Sequence, residues 1–150
     1  MPERTTRTPT KRTVADRLRA LLAAEGYRPR RAQEEKHPEV IHFKVEGNLF
    51  LLRFEEDDPD FVQVSTGYLL EDSTRDELAL LRAGNEIQDK WKAVKVWFPK
   101  SRAFVELQVE LFLGGRPFTA GLLGRSIGTL RAAGKELHGL VTPGPPKARA

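Results

Sequence analysis

From Val40 to Glu46 the chain alternates, with Ile41, Phe43 and Val45 apolar and His42, Lys44 and Glu46 polar. A period of two puts one set on each side of an extended backbone, so the stretch predicts a half-buried strand. Gly47-Asn48 follows as a two-residue hairpin signal, because glycine accepts the positive φ such turns require. The returning strand carries Phe50, Leu52 and Phe54 on one side and Leu49, Leu51 and Arg53 on the other. An acidic loop, Glu55 to Asp60, leads to a third strand over Phe61–Thr66. Alternation returns in AVKVWF, with Val94, Val96 and Phe98 on one side, and in FVELQVELFL, with Val105, Leu107, Val109 and Leu111. Pro99 to Arg102 supplies the turn between them.

Elsewhere the apolar period lengthens to that of a helix. Thr13 and Asp16 have capping-box spacing, and Val14, Leu18, Leu21 and Leu22 then share one side until Gly26 stops the helix. A proline-bearing connector, Tyr27 to Pro38, follows. Thr74 and Glu77 repeat the box spacing before a second helix whose apolar side is Leu78, Leu81, Ile87 and Trp91. A third helix, Phe118 to Leu137, presents Phe118, Leu122, Ile127, Leu130 and Leu137. The order is α-β-β-β-α-β-β-α. Short turns favour antiparallel pairing, so the expected α+β fold is an antiparallel five-stranded sheet with helices packed on it.

A chain of 150 residues fits one domain, expected over 13–138. Residues 1–12 form a basic tail and 139–150 a proline-rich tail, both too polar to offset the cost of ordering and so expected to be disordered. The net charge of +4 suggests nucleic acid until its distribution is followed. Residues 1–36 hold ten basic and five acidic side chains, whereas 37–138 hold 13 basic and 16 acidic. The body is mildly acidic. Cysteine is absent, excluding disulfides and thiolate chemistry. A reducing cytoplasm is the simplest setting. No apolar run approaches the ~20 residues of a membrane span, so no membrane role is expected.

Two segments resemble the YbjN family, whose fold is shared with the secretion chaperones of type III systems. VEGNLFLLRFEEDDPDFVQV is similar to that family's hairpin, acidic turn and third strand. LRAGNEIQDKWKAVKVWF is similar to its second helix, with Asn85 in the middle, running into the fourth strand. The similarity spans roughly residues 13–138 and implies a non-enzymatic, commonly dimeric protein that binds other proteins.

Motifs of catalysis fail on context. Gly124-Arg125-Ser126-Ile127-Gly128 matches the nucleophile elbow, but no strand enters it, and the only acid between it and His138 is Glu136, two residues from that histidine. The stretch from Gly128 to Glu136 approaches a phosphate-binding loop with one residue too many and a glutamate where the magnesium-binding hydroxyl belongs. His37, His42 and His138 lack metal spacing, and Glu55–Asp60 lacks that of a calcium loop. That acidic loop is expected to be solvated. No catalytic residue, metal or cofactor is assigned. Asn85 is either an exposed or locally bonded amide, or a buried one fixing the second helix to the sheet.

Three features remain. Leu49, Leu51, Trp97, Phe104 and Phe112 point away from the apolar side of the sheet, among Arg53, Lys95, Glu106 and Glu110. Apolar residues gathered on neighbouring strands make a patch of the kind that marks an interface, unless a helix covers it. Gly121, Gly124 and Gly128 form a smooth strip on the third helix, suited to close packing on the protein's own sheet or across a dimer interface. Arg4, Arg7, Lys11, Arg12, Arg28, Arg30 and Arg31 could contact phosphates. The leading expectation is a chaperone-like or adaptor homodimer that binds a protein client. The alternative is a nucleic-acid-binding accessory protein, or a partner of one. An apolar pocket between helices and sheet, serving a small molecule, stays open as a third.

Overall fold

The computed structural model describes residues 12–31, 39–71, 76–101 and 103–142. Helix α1 (Val14–Ala24) opens on the expected box, with Thr13 Oγ1 accepting the Asp16 N–H at 3.1 Å and Asp16 accepting the Thr13 N–H. A second acid holds the same turn. Both carboxylate oxygens of Glu56 accept backbone N–H groups, from Val14 at 3.1 Å and Ala15 at 3.0 Å. An anion there satisfies orphan donors and faces the positive end of the helix dipole.

The strands are β1 (Arg30–Arg31), β2 (Val40–Val45), β3 (Asn48–Phe54), β4 (Phe61–Leu69), β5 (Val94–Trp97) and β6 (Phe104–Phe112). They pair antiparallel throughout in the order β1-β2-β3-β4-β6-β5. The five expected strands are all present, and the two-residue β1 extends the sheet beyond β2. The first hairpin turns one residue earlier than the sequence suggests. Val45 pairs with Asn48, leaving Glu46 and Gly47 as the turn with φ of 48° and 85°. Either register keeps each side chain on its face; the observed one sets Phe43 across from Phe50, ring centroids 5.7 Å apart.

Helix α2 (Glu77–Lys90) is capped by Asp76, whose side chain accepts the Ala79 N–H at 2.7 Å. Thr74, the expected cap, lies outside the described residues. The later start goes with a different buried stripe. Leu80, Ala83, Gly84 and Ile87 are buried, at helical spacing, whereas Leu78 and Leu81 are exposed. Asn85 is exposed too, which settles its two readings in favour of the solvent-facing one. Helix α3 (Ala120–Val141) is capped by Thr119 and runs past the domain boundary expected at 138. It buries Leu123, Ser126, Ile127, Leu130, Ala133, Gly134 and Leu137. The nucleophile-elbow pattern is interior to this helix.

All three helices bury their stripes in one cluster with Ile41, Phe43, Phe50, Leu52, Phe54, Val62, Val64, Val105, Leu107 and Val109 of the sheet. The acidic loop is exposed from Glu55 to Pro59, as expected, yet two of its carboxylates also close this arrangement. Besides the Glu56 contact with α1, the Asp60 carboxylate accepts the Gly115 N–H and its carbonyl the Leu113 N–H, each at 2.8 Å. The loop thus clasps α1 and the link from β6 to α3.

Candidate protein-binding face

Among the described residues, no helix lies on the second side of the sheet. Alternation places on it His42 and Lys44 of β2, Leu49, Leu51 and Arg53 of β3, and Phe61, Gln63, Ser65, Gly67 and Leu69 of β4. Phe104, Glu106, Gln108, Glu110 and Phe112 of β6 join them, with Lys95 and Trp97 of β5. Cross-strand register divides this face into three zones.

The middle is polar. Arg53 Nη1 lies 2.6 Å from Glu106 Oε1, 2.7 Å from Gln63 Oε1 and 2.9 Å from Ser65 Oγ, sharing its hydrogens among three acceptors. Gln63 Nε2 donates to Gln108 Oε1 and, at 3.2 Å, to Glu110 Oε1, which also takes the Lys95 ammonium at 2.9 Å. Ser65 is wholly shielded although no helix lies over it. The arginine arm, reaching across from β3, takes that role.

One end is apolar. Leu69 pairs with Phe104, Gly67 with Glu106, and Glu106 with Trp97, which bring residues of β4, β6 and β5 side by side. Leu49 stands on β3 beyond Gly67, so the zone spans about 14 Å at the usual strand spacing. Trp97 meets Phe104 edge-on with centroids 5.7 Å apart. Leu69 is 90% exposed, Trp97 48% and Leu49 47%. The glycine between them leaves a shallow dip, and a Cβ there would sit 3.3 Å from the Val105 carbonyl. At the far end, Phe61 and Phe112 form a separate pair, centroids 5.8 Å apart, with Phe112 81% exposed.

Of the five residues expected to form one patch, the fold gathers Leu49, Trp97 and Phe104, with half-buried Leu51 beside them. It sends Phe112 to the opposite end, across the polar zone. The expectation of one continuous apolar face is corrected accordingly. Sequence reasoning missed Leu69, because ending β4 at Thr66 discarded Gly67-Tyr68-Leu69. The alternation Phe61, Gln63, Ser65, Gly67, Leu69 carries on through the glycine and is the signal that was available.

The glycine strip is also placed differently from the reading that packed it on the protein's own sheet. Gly124 and Gly128 are exposed, with open space where a Cβ would stand, and Gly121 meets only Thr119 Oγ1 at 3.8 Å. Gly134 makes the close approach instead. A Cβ there would lie 2.8 Å from two ring carbons of Tyr68. Burial of that ring raises the phenol pKa above its usual value, against a smaller lowering by the Arg131 cation.

Among the basic residues, Arg28 and Arg30 flank a groove of about 670 Å³ with His42, Lys44, Tyr27, Phe43, Leu49 and Gly26. Arg12 stands at the other end of α1, an 11-residue helix about 16 Å long. Arg4, Arg7 and Lys11 lie outside the described residues, as does the side chain of Arg31. A second groove of about 490 Å³, lined by Val14, Leu18, Pro59, Leu113, Pro117 and Phe118 among others, separates α1 from the link into α3. No helix among the described residues is long and apolar enough to cross a membrane.

An antiparallel sheet with its helices on one side and its other side bare defines a two-layer α+β protein. No family model matches the sequence and no curated protein is similar to it. Solved structures are. An uncharacterized protein from Methanothermobacter thermautotrophicus matches with a TM-score of 0.63 at 11% identity, over 85% of this chain and 96% of that one. YbjN from E. coli, described as a suggested transcription regulator, matches with a TM-score of 0.57 at 12% identity, over 85% of this chain and 87% of that one. The fold is YbjN-like, as the resemblance implied.

Proposed function

We propose that this chain is a non-enzymatic, cytoplasmic protein-binding module, a chaperone-like or adaptor homodimer that docks a protein client on the bare side of its sheet. The observation carrying this reading is the apolar end zone of Leu49, Leu69, Trp97 and Phe104. Four strands assemble it, no helix among the described residues covers it, and a charged belt borders it. An apolar centre with a polar margin is the usual anatomy of a protein interface, and tryptophan is a favoured anchor. The charges in the middle of this face, Arg53 with Glu106 and Lys95 with Glu110, are bound to one another, which suits a scaffold better than acid–base chemistry. The homodimer draws support from the open strip of Gly124 and Gly128, where a second backbone could approach.

The test is affinity capture from lysate with quantitative mass spectrometry, comparing wild type with Leu69→Ser and Trp97→Ala. Loss of a common set of proteins from both variants, at unchanged melting temperature, is the expected result. Retention of the whole set at wild-type levels overturns the reading. Light scattering addresses assembly: a mass of 16.9 kDa at all concentrations contradicts the dimer.

A second reading, contact with nucleic acid, rests on the basic groove beside Arg28 and Arg30 and on the role suggested for the E. coli neighbour. Anisotropy of labelled DNA at two salt concentrations decides it, since phosphate contacts weaken steeply with salt. No binding at low salt removes it.

A further inference from the structure

The groove at the β2 edge has two properties that belong together. Its rim is cationic: Arg28, Arg30 and Lys44 are exposed, His42 is half-exposed, and none of the described lining residues is acidic. Its apolar floor and wall come from Tyr27, Phe43 and Leu49, with the Tyr27 and Phe43 rings 5.3 Å apart. Like charges gathered without acids repel one another, and no ion pair between described residues neutralises Arg28, Arg30 or Lys44. Glu46, the nearest acid on the hairpin, is ion-paired to Arg131.

The backbone contributes a third property. The hairpin closes at Val45 and Asn48, so the alternating ladder turns the N–H and C=O of His42 and Lys44 away from β3. β1 pairs with β2 only at His42 and Ile41. The Lys44 amide therefore stands one step beyond the end of β1, level with Arg28 in the same groove, and offers a bound segment a single backbone contact. The opposite edge of the sheet is blunted. There the Val96 N–H donates to Gln88 Oε1 at 3.2 Å and the Val94 N–H to the Trp91 carbonyl.

We infer that this groove receives an extended, acidic segment of a protein client. The segment lies in the groove with an apolar side chain against Leu49 and carboxylates on Arg28, Arg30 and Lys44. This deepens, and rests on, the protein-binding reading. Leu49 lines the groove and also belongs to the apolar end zone, so one client can run from one to the other. An apolar floor suits a peptide side chain better than a phosphate backbone. A sugar–phosphate chain would need a longer basic track than one groove.

The test uses the full chain and a fluorescein-labelled decapeptide of aspartates and glutamates around a central Leu-Phe pair, read by anisotropy. Controls are the same peptide with lysines for the acids, and an oligothymidine of matching length. We expect the acidic peptide to bind, the basic one not to, and affinity to fall with salt. Arg28→Glu combined with Lys44→Glu, both on the exposed rim, should weaken binding by about tenfold or more. Arg116→Glu, remote from this groove, should change it less than twofold, and circular dichroism checks that each variant folds. No binding of the acidic peptide, or equal binding of both peptides, overturns the inference. So does tighter binding of the oligonucleotide, lost on the same charge reversal, which assigns the groove to nucleic acid. Failure here with client capture still lost in Leu69→Ser and Trp97→Ala leaves the protein-binding reading standing without this groove. Failure of both removes the reading itself.

Discussion

The two sides of this sheet are written in the same alternating pattern and end in opposite circumstances. Toward the helices nearly every second residue is a Val, Leu, Ile or Phe, Thr66 and Tyr68 of β4 being exceptions, and most are buried. On the bare side the same strands present arginine, glutamine, glutamate and serine in the middle and leucine, tryptophan and phenylalanine at the ends. The difference lies in what does the covering. Helices bury the first side by excluding water over a wide apolar area. On the second, one long side chain, Arg53, lies across its neighbours and shields Ser65 while staying partly in water itself. A sheet can thus afford one face without a layer over it, provided its centre is satisfied internally.

That contrast is broken most directly by truncating the covered side. Phe50→Ala removes a fully buried ring that faces Phe43 and should cost about 3–5 kcal/mol in denaturant unfolding. Leu69→Ser, on the same sheet but in water, should cost less than about 0.5 kcal/mol. Equal losses would mean that the bare side is covered in solution.

The next effect is the polar belt. Arg53→Ala leaves the Glu106 carboxylate and the Ser65 hydroxyl shielded without their cation, whose own side chain is 34% exposed. Partial solvation puts the cost at about 2 kcal/mol, below that of breaking a fully buried pair. Replacing Arg53 and Glu106 together by leucine should recover most of the loss, because no charge is then stranded. A double variant as unstable as Arg53→Ala would show that the belt holds the fold by more than mutual compensation.

How much of this was legible in the sequence follows the same division. The covered side was legible because burial repeats with the period of the backbone; Ile41, Phe43, Phe50 and Leu52 announce it. Helix α1 was legible because its cap is local, Thr13 with Asp16. The apolar stripe of α2 was not, since Leu78, Leu80 and Leu81 offer competing faces and the start at Asp76 decides among them. Glu56 and Asp60 looked like solvated charge because their partners, the first turn of α1 and Gly115, are 41 and 55 residues away. The site was half legible. Alternation assigned Leu49, Trp97 and Phe104 to the bare side and, carried past Gly67, would have added Leu69, but only cross-strand register could separate Phe112 from them. Arg53 was seen as one charge among several, because its three partners converge only once β3, β4 and β6 are adjacent.

A smaller effect contrasts two sides of α3. Gly124→Ala, with open space around the new methyl, should stabilise by about 0.5–1 kcal/mol through helix propensity. Gly134→Ala gains the same propensity but drives a methyl into the Tyr68 ring, and should come out about 1 kcal/mol less stable than wild type. Thermal melts of the two variants should therefore shift in opposite directions. A loss in Gly124→Ala that deepens on dilution would instead locate a dimer contact on the open strip.

The smallest effect tests the seam within the helix layer. Glu136 of α3 accepts from the Lys90 ammonium at 2.6 Å and from the Trp91 indole N–H at 3.0 Å, tying α3 to the end of α2. The Lys90 hydrogen bond first, then that of Trp91, hold its carboxyl below the ordinary value of 4.5, with desolvation opposing and the Lys90 charge adding. A carboxyl depressed in the folded state contributes stability that is fully present above its unfolded value. That stability is lost as pH falls through the folded one. Glu136→Gln should therefore be less stable than wild type near neutrality and equal to it in strong acid, the gap closing only below about pH 4.5. The Trp91 indole proton gives a second readout by NMR, its resonance moving with the same depressed midpoint in wild type and standing still in Glu136→Gln. A stability gap that is constant from neutrality into acid would show that the side chain's shape, and not its charge, binds the two helices.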